Sequence, residues 1–229
     1  MGTVYNTNVV TDGLVAYWDA GNRVSYPGAG TVWTDVAAGN NAALQNYDEG
    51  DFSSDDMGYV SFDGTDQYAE APGANLNLTD KVSLFSYVRF ADSANFDYDG
   101  VPIMGKDFSG GATFALEYTD RKIKAALYAG SWTGFESDFL MSVDTWYYVG
   151  FTYDRVNVKV YGNGAVQATT AETDALSGDT TGTFNFGAGT WAGSPFFRFT
   201  GDIALVKLYN RALTAAEVAQ NYNATKGRF

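Results

Sequence analysis

The amino-acid sequence predicts an all-β protein, a two-sheet antiparallel sandwich with one short helix near its C-terminus. Three observations carry that expectation. The first is the stretch Trp146 to Val166, which reads as a meander. Alternate side chains of a strand point to opposite faces, so Tyr147, Val149, Phe151 and Tyr153 share one face, and Trp146, Tyr148, Gly150 and Thr152 the other. A strand apolar on both sides needs cover on both and belongs centrally in a layered β structure. The second is the recurrence of short alternating runs with turn residues between them and no long helical period. The third is Thr214-Ala-Ala-Glu217, whose spacing is that of a capping box: hydroxyl and carboxylate each satisfy the other residue's orphan amide.

In order along the chain, residues 1–12 are polar and β-branched without a core period and read as an extended arm; residues 13–229 read as one domain. Gly13 to Asp19 is the first strand, with Leu14, Ala16 and Trp18 on one face. Pro27-Gly28, Gly30 and Ala37-Ala-Gly-Asn-Asn41 are turn signals in a loop-rich segment. Asp48 to Asp56 is acidic and expected to be exposed, and Tyr59 to Tyr68 reads as a hairpin turning at Asp63-Gly64. Val82 to Phe90 presents Val82, Leu84, Ser86, Val88 and Phe90 to one side. Val101 to Gly105, Thr113 to Tyr118 and Lys122 to Tyr128 continue the series. After the meander, which turns at Gly162-Asn-Gly164, come Gly182 to Gly187 and Phe197 to Tyr209. In the helix that follows the capping box, Leu213 and Val218 occupy staple positions and Tyr222 follows at i+4.

Composition bounds the function. The 229 residues are 45% hydrophobic and 16% aromatic, enough for a sizeable core. A net charge of −13 argues against a nucleic-acid partner, which needs clustered Lys and Arg. There is no cysteine and no histidine, so disulfides, thiolate metal sites and imidazole bases are excluded. No apolar run is long enough to span a membrane as a helix, and the first ten residues lack the features of a secretory signal. Either a signal was trimmed away before this numbering, or the protein is assembled in a cytoplasm and leaves by another route, of which virion assembly is one.

Gly13-Leu-Val-Ala-Tyr-Trp18, Phe62-Asp-Gly-Thr-Asp66, Val82 to Phe90, Trp146 to Asp154, Val158 to Gly164 and Gly201 to Leu213 stand in an order that resembles the concanavalin A-like, laminin G-like jelly rolls. Ser25 to Asp35 and Asn210-Arg-Ala-Leu-Thr214 look most like versions found in bacteriophage structural proteins. The resemblance implies a curved antiparallel jelly-roll sandwich. It also implies a structural calcium, for which Asp63, Asp66 and Asp202 are the candidate oxygen donors beside turn carbonyls. Their ordinary reading is a turn at Asp63-Gly64 and a solvated strand end at Asp202. The chain departs from the family at Ala204, where an Asp often stands, and at Ala37-Ala38-Gly39, a loop usually richer in Gly and Asn.

Glucanases of this superfamily carry paired carboxylates on one strand, ~5 Å apart when they act as nucleophile and acid. None of the six glutamates here has another within five residues. The nearest imitation, Glu117-Tyr-Thr-Asp120, falls on opposite faces of a continuing strand, so no catalytic residue is assigned. Aromatic rings beside acids suit sugars, whose C–H faces stack while their hydroxyls hydrogen-bond. Tyr128, Trp132, Phe135, Glu136 and Trp191 are the candidates for carbohydrate binding, with Asn95-Phe-Asp-Tyr98 repeating the theme. Rings that plug sandwich ends or form subunit contacts give the same pattern. Asn77-Leu-Thr79 and Asn223-Ala-Thr225 fit the glycosylation pattern and are read as chance.

The functional expectation is an acidic, non-catalytic, lectin-like virion surface protein. It would be a capsid decoration, cement or fibre module that partners capsid proteins and host glycans as a homo-oligomer. The alternative is a carbohydrate-binding module or adhesin domain of a secreted bacterial protein. Fold alone separates neither from a degradative enzyme.

Overall fold

The computed structural model describes residues 9–91, 100–106, 114–178, 182–191 and 194–229. Its strands are β1 (Leu14–Asp19), β2 (Val32–Trp33), β3 (Ala42–Gln45), β4 (Phe52–Ser53), β5 (Tyr59–Asp63), β6 (Tyr68–Pro72), β7 (Val82–Phe90), β8 (Val101–Lys106) and β9 (Phe114–Thr119). They continue as β10 (Lys122–Tyr128), β11 (Trp132–Leu140), β12 (Trp146–Tyr153), β13 (Asn157–Gly162), β14 (Ala165–Ala171), β15 (Thr183–Phe186), β16 (Ala188–Trp191), β17 (Ser194–Arg198) and β18 (Thr200–Tyr209), and helix α1 (Ala215–Thr225) follows.

The first sheet runs β14-β13-β12-β7-β18-β5-β4, with β1 paired to the later half of β18; the second runs β11-β10-β9-β8-β15-β6-β3-β2, and β16 with β17 makes a separate ribbon. The expected two-sheet antiparallel sandwich is what forms. β12 lies between β13 and β7, with Val149, Phe151 and Tyr153 in the core between the sheets and Tyr148 on the far side, as alternation requires. Asn163 (φ 50°) and Gly164 (φ 80°) form the two-residue turn after β13, where positive φ at both positions matches the strand twist. Trp18 closes the sandwich by stacking on Phe184 at 5.7 Å and meeting Phe186 edge-on at 4.8 Å.

The outer face of the first sheet is also apolar. Phe85, Tyr87, Tyr148, Tyr161 and Tyr209 form a second aromatic layer with Val218. Helix α1 and the C-terminal residues after it supply its cover: Tyr222 stacks over Tyr148 at 6.0 Å, and Phe229 over Tyr87 at 4.3 Å. The helix starts where the capping box placed it. Thr214 accepts from the Glu217 amide, and the Glu217 carboxylate accepts from the Thr214 amide at 2.8 Å. Arg211 also donates to that carboxylate and is the largest influence lowering its pKa to about 2.

One expectation meets a different arrangement. Tyr59 to Tyr68 is not a hairpin: β5 pairs with β18 and β4 in the first sheet, whereas β6 pairs with β15 and β3 in the second. The Asp63 carboxylate accepts from the amides of Thr65, Asp66 and Gln67, and this loop carries the chain across the sandwich. Of the expected arm, residues 9–12 fall within the described residues. Val9 and Val10 are buried, the Val10 amide donates to Asn221 Oδ1 of α1 at 2.8 Å, and its carbonyl accepts from the Tyr209 hydroxyl at 3.0 Å. That end of the arm therefore packs on the chain's own second aromatic layer.

Candidate functional site

α1 and Phe229 pack on the outer face of the first sheet, whereas the Tyr128 and Trp132 rings nominated from the sequence lie at the edge of the second. β11 is the terminal strand of that sheet. Its hairpin with β10 turns through Gly130 (φ 88°), whose amide donates to the Ser177 hydroxyl at 3.1 Å, while the Ser177 amide donates to the Tyr128 carbonyl at 2.8 Å. The tip is thereby tied to the segment after β14.

Tyr128 and Trp132 are cross-strand partners, with ring centroids 5.4 Å apart at 55°. Trp132 keeps 37% of its surface exposed, unusual for so large an apolar ring among the described residues. On the same face, Glu136 stands opposite Lys124, and Lys124 opposite Glu117, giving a row of acid, base and acid over three strands. Lys124 Nζ lies 3.7 Å from Glu117 Oε2, both side chains being largely buried, while Glu136 is exposed. Asp120 sits in the turn after β9 with φ 50°, away from Glu117's face.

The structure thus brings Tyr128, Trp132 and Glu136 to one face and removes Phe135 from the set. Phe135 is 5% exposed and belongs to the core between the sheets. Its odd separation from Trp132 turns it inward, a parity the sequence already contained. Trp191 ends β16 opposite Ser194, in the ribbon that approaches β8 rather than β11; its side chain lies outside the described residues, as does Asn95 to Tyr98. Two carboxylates that sequence reading missed, Glu172 and Asp174, share a cavity of about 30 Å³ with Ser131 and Thr133 beside the hairpin tip. No local motif marks them; they arrive because the β11 and β14 edges approach each other.

The three candidate calcium donors do not form one donor set. Asp202 is committed to Ser61 at 2.6 Å and to Arg89 at 2.8 Å. The Asp63 carboxylate is occupied by its own loop: burial acts to raise its pKa, and the amides of Thr65, Gln67 and Asp66 outweigh it, so the net shift is downward. Asp66 is exposed, and among the described residues no three acidic groups converge as a metal would require. The loop near residue 39 is organised by Asp35, whose buried carboxylate accepts from the amides of Tyr17, Ala37 and Asn40 and from the Asn40 side chain.

A family model described as the concanavalin A-like lectin/glucanases superfamily matches residues 63–219. No curated protein sequence matches the chain. A Trypanosoma rangeli sialidase mutant with trans-sialidase activity is similar in structure, with 20% identity and a TM-score of 0.69 over 96% of this chain and 34% of that one. The Trypanosoma rangeli sialidase in complex with sialic acid gives 18% identity and 0.65 over the same shares. The receptor binding domain of botulinum neurotoxin C/D mosaic serotype gives 12% identity and 0.69 over 93% of this chain and 52% of that one. The chain spans about a third of the sialidases' length and about half of the receptor binding domain's. At these identities the likeness is one of fold.

Proposed function

The chain belongs to the concanavalin A-like lectin/glucanases superfamily, and from that premise we propose that it is a non-catalytic, glycan-binding virion surface protein. It serves as a capsid decoration or fibre module, partnering capsid proteins as a homo-oligomer. The observation that carries glycan binding is the Tyr128–Trp132 pair on an open sheet edge. Two tilted rings offer a C–H-stacking surface, and the exposed Glu136 on the same face offers hydrogen-bonding oxygens. The family's fold supports the reading without specifying the sugar. The non-catalytic reading is supported by the engagement of Glu117 with Lys124 and by its divergence from Asp120. The virion role rests on the likeness of Ser25 to Asp35 and Asn210 to Thr214 to bacteriophage structural proteins. A carbohydrate-binding or adhesin domain of a secreted bacterial protein is the second reading, favoured by the same pair of rings.

Trp132→Ala is expected to cost ~1–3 kcal/mol of glycan binding, by analogy with base stacking on aromatic side chains. The melting temperature should hardly move, because the ring is partly exposed at an edge. Titration on a glycan array and a thermal melt check both; a large fall in melting temperature with unchanged binding would show that the ring is structural. Native mass and co-sedimentation with viral particles test the virion role, and a monomer that never sediments with particles would remove it.

A further inference from the structure

Apolar side chains left on the surface gather along one flank of the sandwich. β14 ends the first sheet and β11 the second, and these two edges approach each other. Leu140 (63% exposed), Val156 (58%) and Val166 (42%) lie there, three of the six large hydrophobic residues exposed among the described residues. Leu140 follows Phe139, whose ring a Cβ on Gly162 would meet at 2.7 Å, and Gly162 pairs with Ala165, the first residue of β14. Val156 marks the other end of β14, where its carbonyl accepts from the Glu172 amide at 3.1 Å. We propose that this flank joins two copies of the chain, β14 pairing antiparallel with β14 of the second copy about a two-fold axis.

The edges of the two large sheets differ in a way that selects β14. An unpaired edge is a template for another strand unless shortness, charge, proline or a covering segment blocks it. β2 and β4 are two residues long. The outer side of β1 is taken, since the Tyr17 amide donates to Asp35 Oδ1 at 2.7 Å and the Tyr17 carbonyl accepts from the Val36 amide at 2.9 Å. β11 carries the exposed acids Glu136 and Asp138. β14, Ala165-Val-Gln-Ala-Thr-Thr-Ala171, has seven residues with neither charge nor proline. All but Ala168 are exposed, and its outer side has no strand partner among the described residues.

The strand suits a copy of itself. Two-fold pairing centred on Ala168 sets Val166 against Thr170, Gln167 against Thr169 and Ala165 against Ala171, each twice and with no like charges opposed. The same symmetry lays the start of one β14 beside the end of the other, carrying Leu140 of each copy toward Val156 of the second. A basic partner would gain nothing from so uncharged a strand. Two copies of net charge −13 repel each other, so association should tighten as added salt screens them. One strand edge with its flanking apolar contacts stands at the small end of specific interfaces, where weak, concentration-dependent association is the rule. This pairing is the interface of the homo-oligomer proposed above and rests on that part of the reading alone.

Sedimentation velocity of the full chain from micromolar to near-millimolar concentration tests it. The parent should dimerise, and more tightly at high salt. Thr169 faces Lys159 within its own sheet, so Thr169→Glu should leave the melting temperature of the dilute chain unchanged. Across the axis the two new carboxylates would stand roughly 7–8 Å apart on the diagonal, and the dimer should weaken about tenfold or more. Leu140→Ser should weaken it as well, whereas Thr169→Val should leave it intact. An oligomer indifferent to Thr169→Glu, or weakened equally by Thr169→Val, would overturn this interface and leave the homo-oligomer standing. A monomer at every concentration would remove both.

Discussion

Replacing Lys207 with methionine is expected to stabilise the protein at neutral pH and to flatten its stability between about pH 7 and 9.5. Lys207 lies on β18 opposite Tyr17 of β1 and Phe85 of β7, on the face covered by α1. It is fully buried, its Nζ is 5.2 Å from the Tyr17 ring centroid, and it has no hydrogen-bond partner. Burial lowers its pKa from 10.5 to about 7; Asp19 opposes that fall and Arg228 adds to it. The folded protein therefore gives up the proton near pH 7, whereas the unfolded chain keeps it to about pH 10.4. Between those values the unfolded state binds more protons, so stability rises with pH. Below pH 7 the full penalty applies, on the order of 4–5 kcal/mol for a displacement of that size. Methionine keeps the unbranched stem and removes the charge. Urea unfolding should show the parent gaining about 3 kcal/mol from pH 7 to 9.5 and Lys207→Met gaining little. The window stops there because burial pushes the pKa values of Tyr17 and Tyr148 above the usual tyrosine range. Equal slopes in the two proteins would refute the assignment.

The same buried layer marks where local sequence reading succeeds and where it ends. The Trp146 to Val166 meander, the Asn163-Gly164 turn and the Thr214–Glu217 box were legible because each is set by residues a few positions apart. The fate of Tyr59 to Tyr68 was not: a loop closed by the Asp63 carboxylate serves a hairpin or a crossing equally well, and distant β18 and β15 decide. Trp33 is fully buried from a two-residue strand, too short for any period to register. At the site, the cross-strand pairing of Tyr128 with Trp132 follows from their place in one hairpin, and Phe135, grouped with them in the sequence, turns into the core by its odd separation from Trp132. Glu172 and Asp174 reach the hairpin only through the packing of β14's end, which no local pattern encodes. The end of the arm shows no period because Val10 is held through its backbone by Asn221 and Tyr209 rather than by a strand ladder.

Arg228→Ala is expected to destabilise the protein by about 3–5 kcal/mol, the range for removing one partner of a buried ion pair. Arg228 holds Asp19 through two hydrogen bonds of 2.8 and 2.7 Å, and both side chains are largely buried. Asp19 accepts as well from the Tyr17 hydroxyl at 2.7 Å and the Gly21 amide at 3.0 Å, so the loss would leave a carboxylate half satisfied. Lys207 is a neighbour able to respond: Asp19 raises its pKa and Arg228 lowers it. Without Arg228, Lys207 should keep its proton to higher pH and compensate Asp19 where it is charged. The cost of Arg228→Ala should therefore be smaller at pH 6 than at pH 9. The double variant with Lys207→Met should depart from additivity by roughly 0.5–3 kcal/mol at pH 6, as coupled neighbours do. Local release of the tail is the competing outcome, since Phe229 packs on Tyr87 and lies 4.9 Å from Trp146. Trp146 fluorescence separates the two: a change preceding the main unfolding transition reports release of the tail. Coincident transitions with a shifted midpoint show that the Asp19–Arg228 pair holds the whole sandwich.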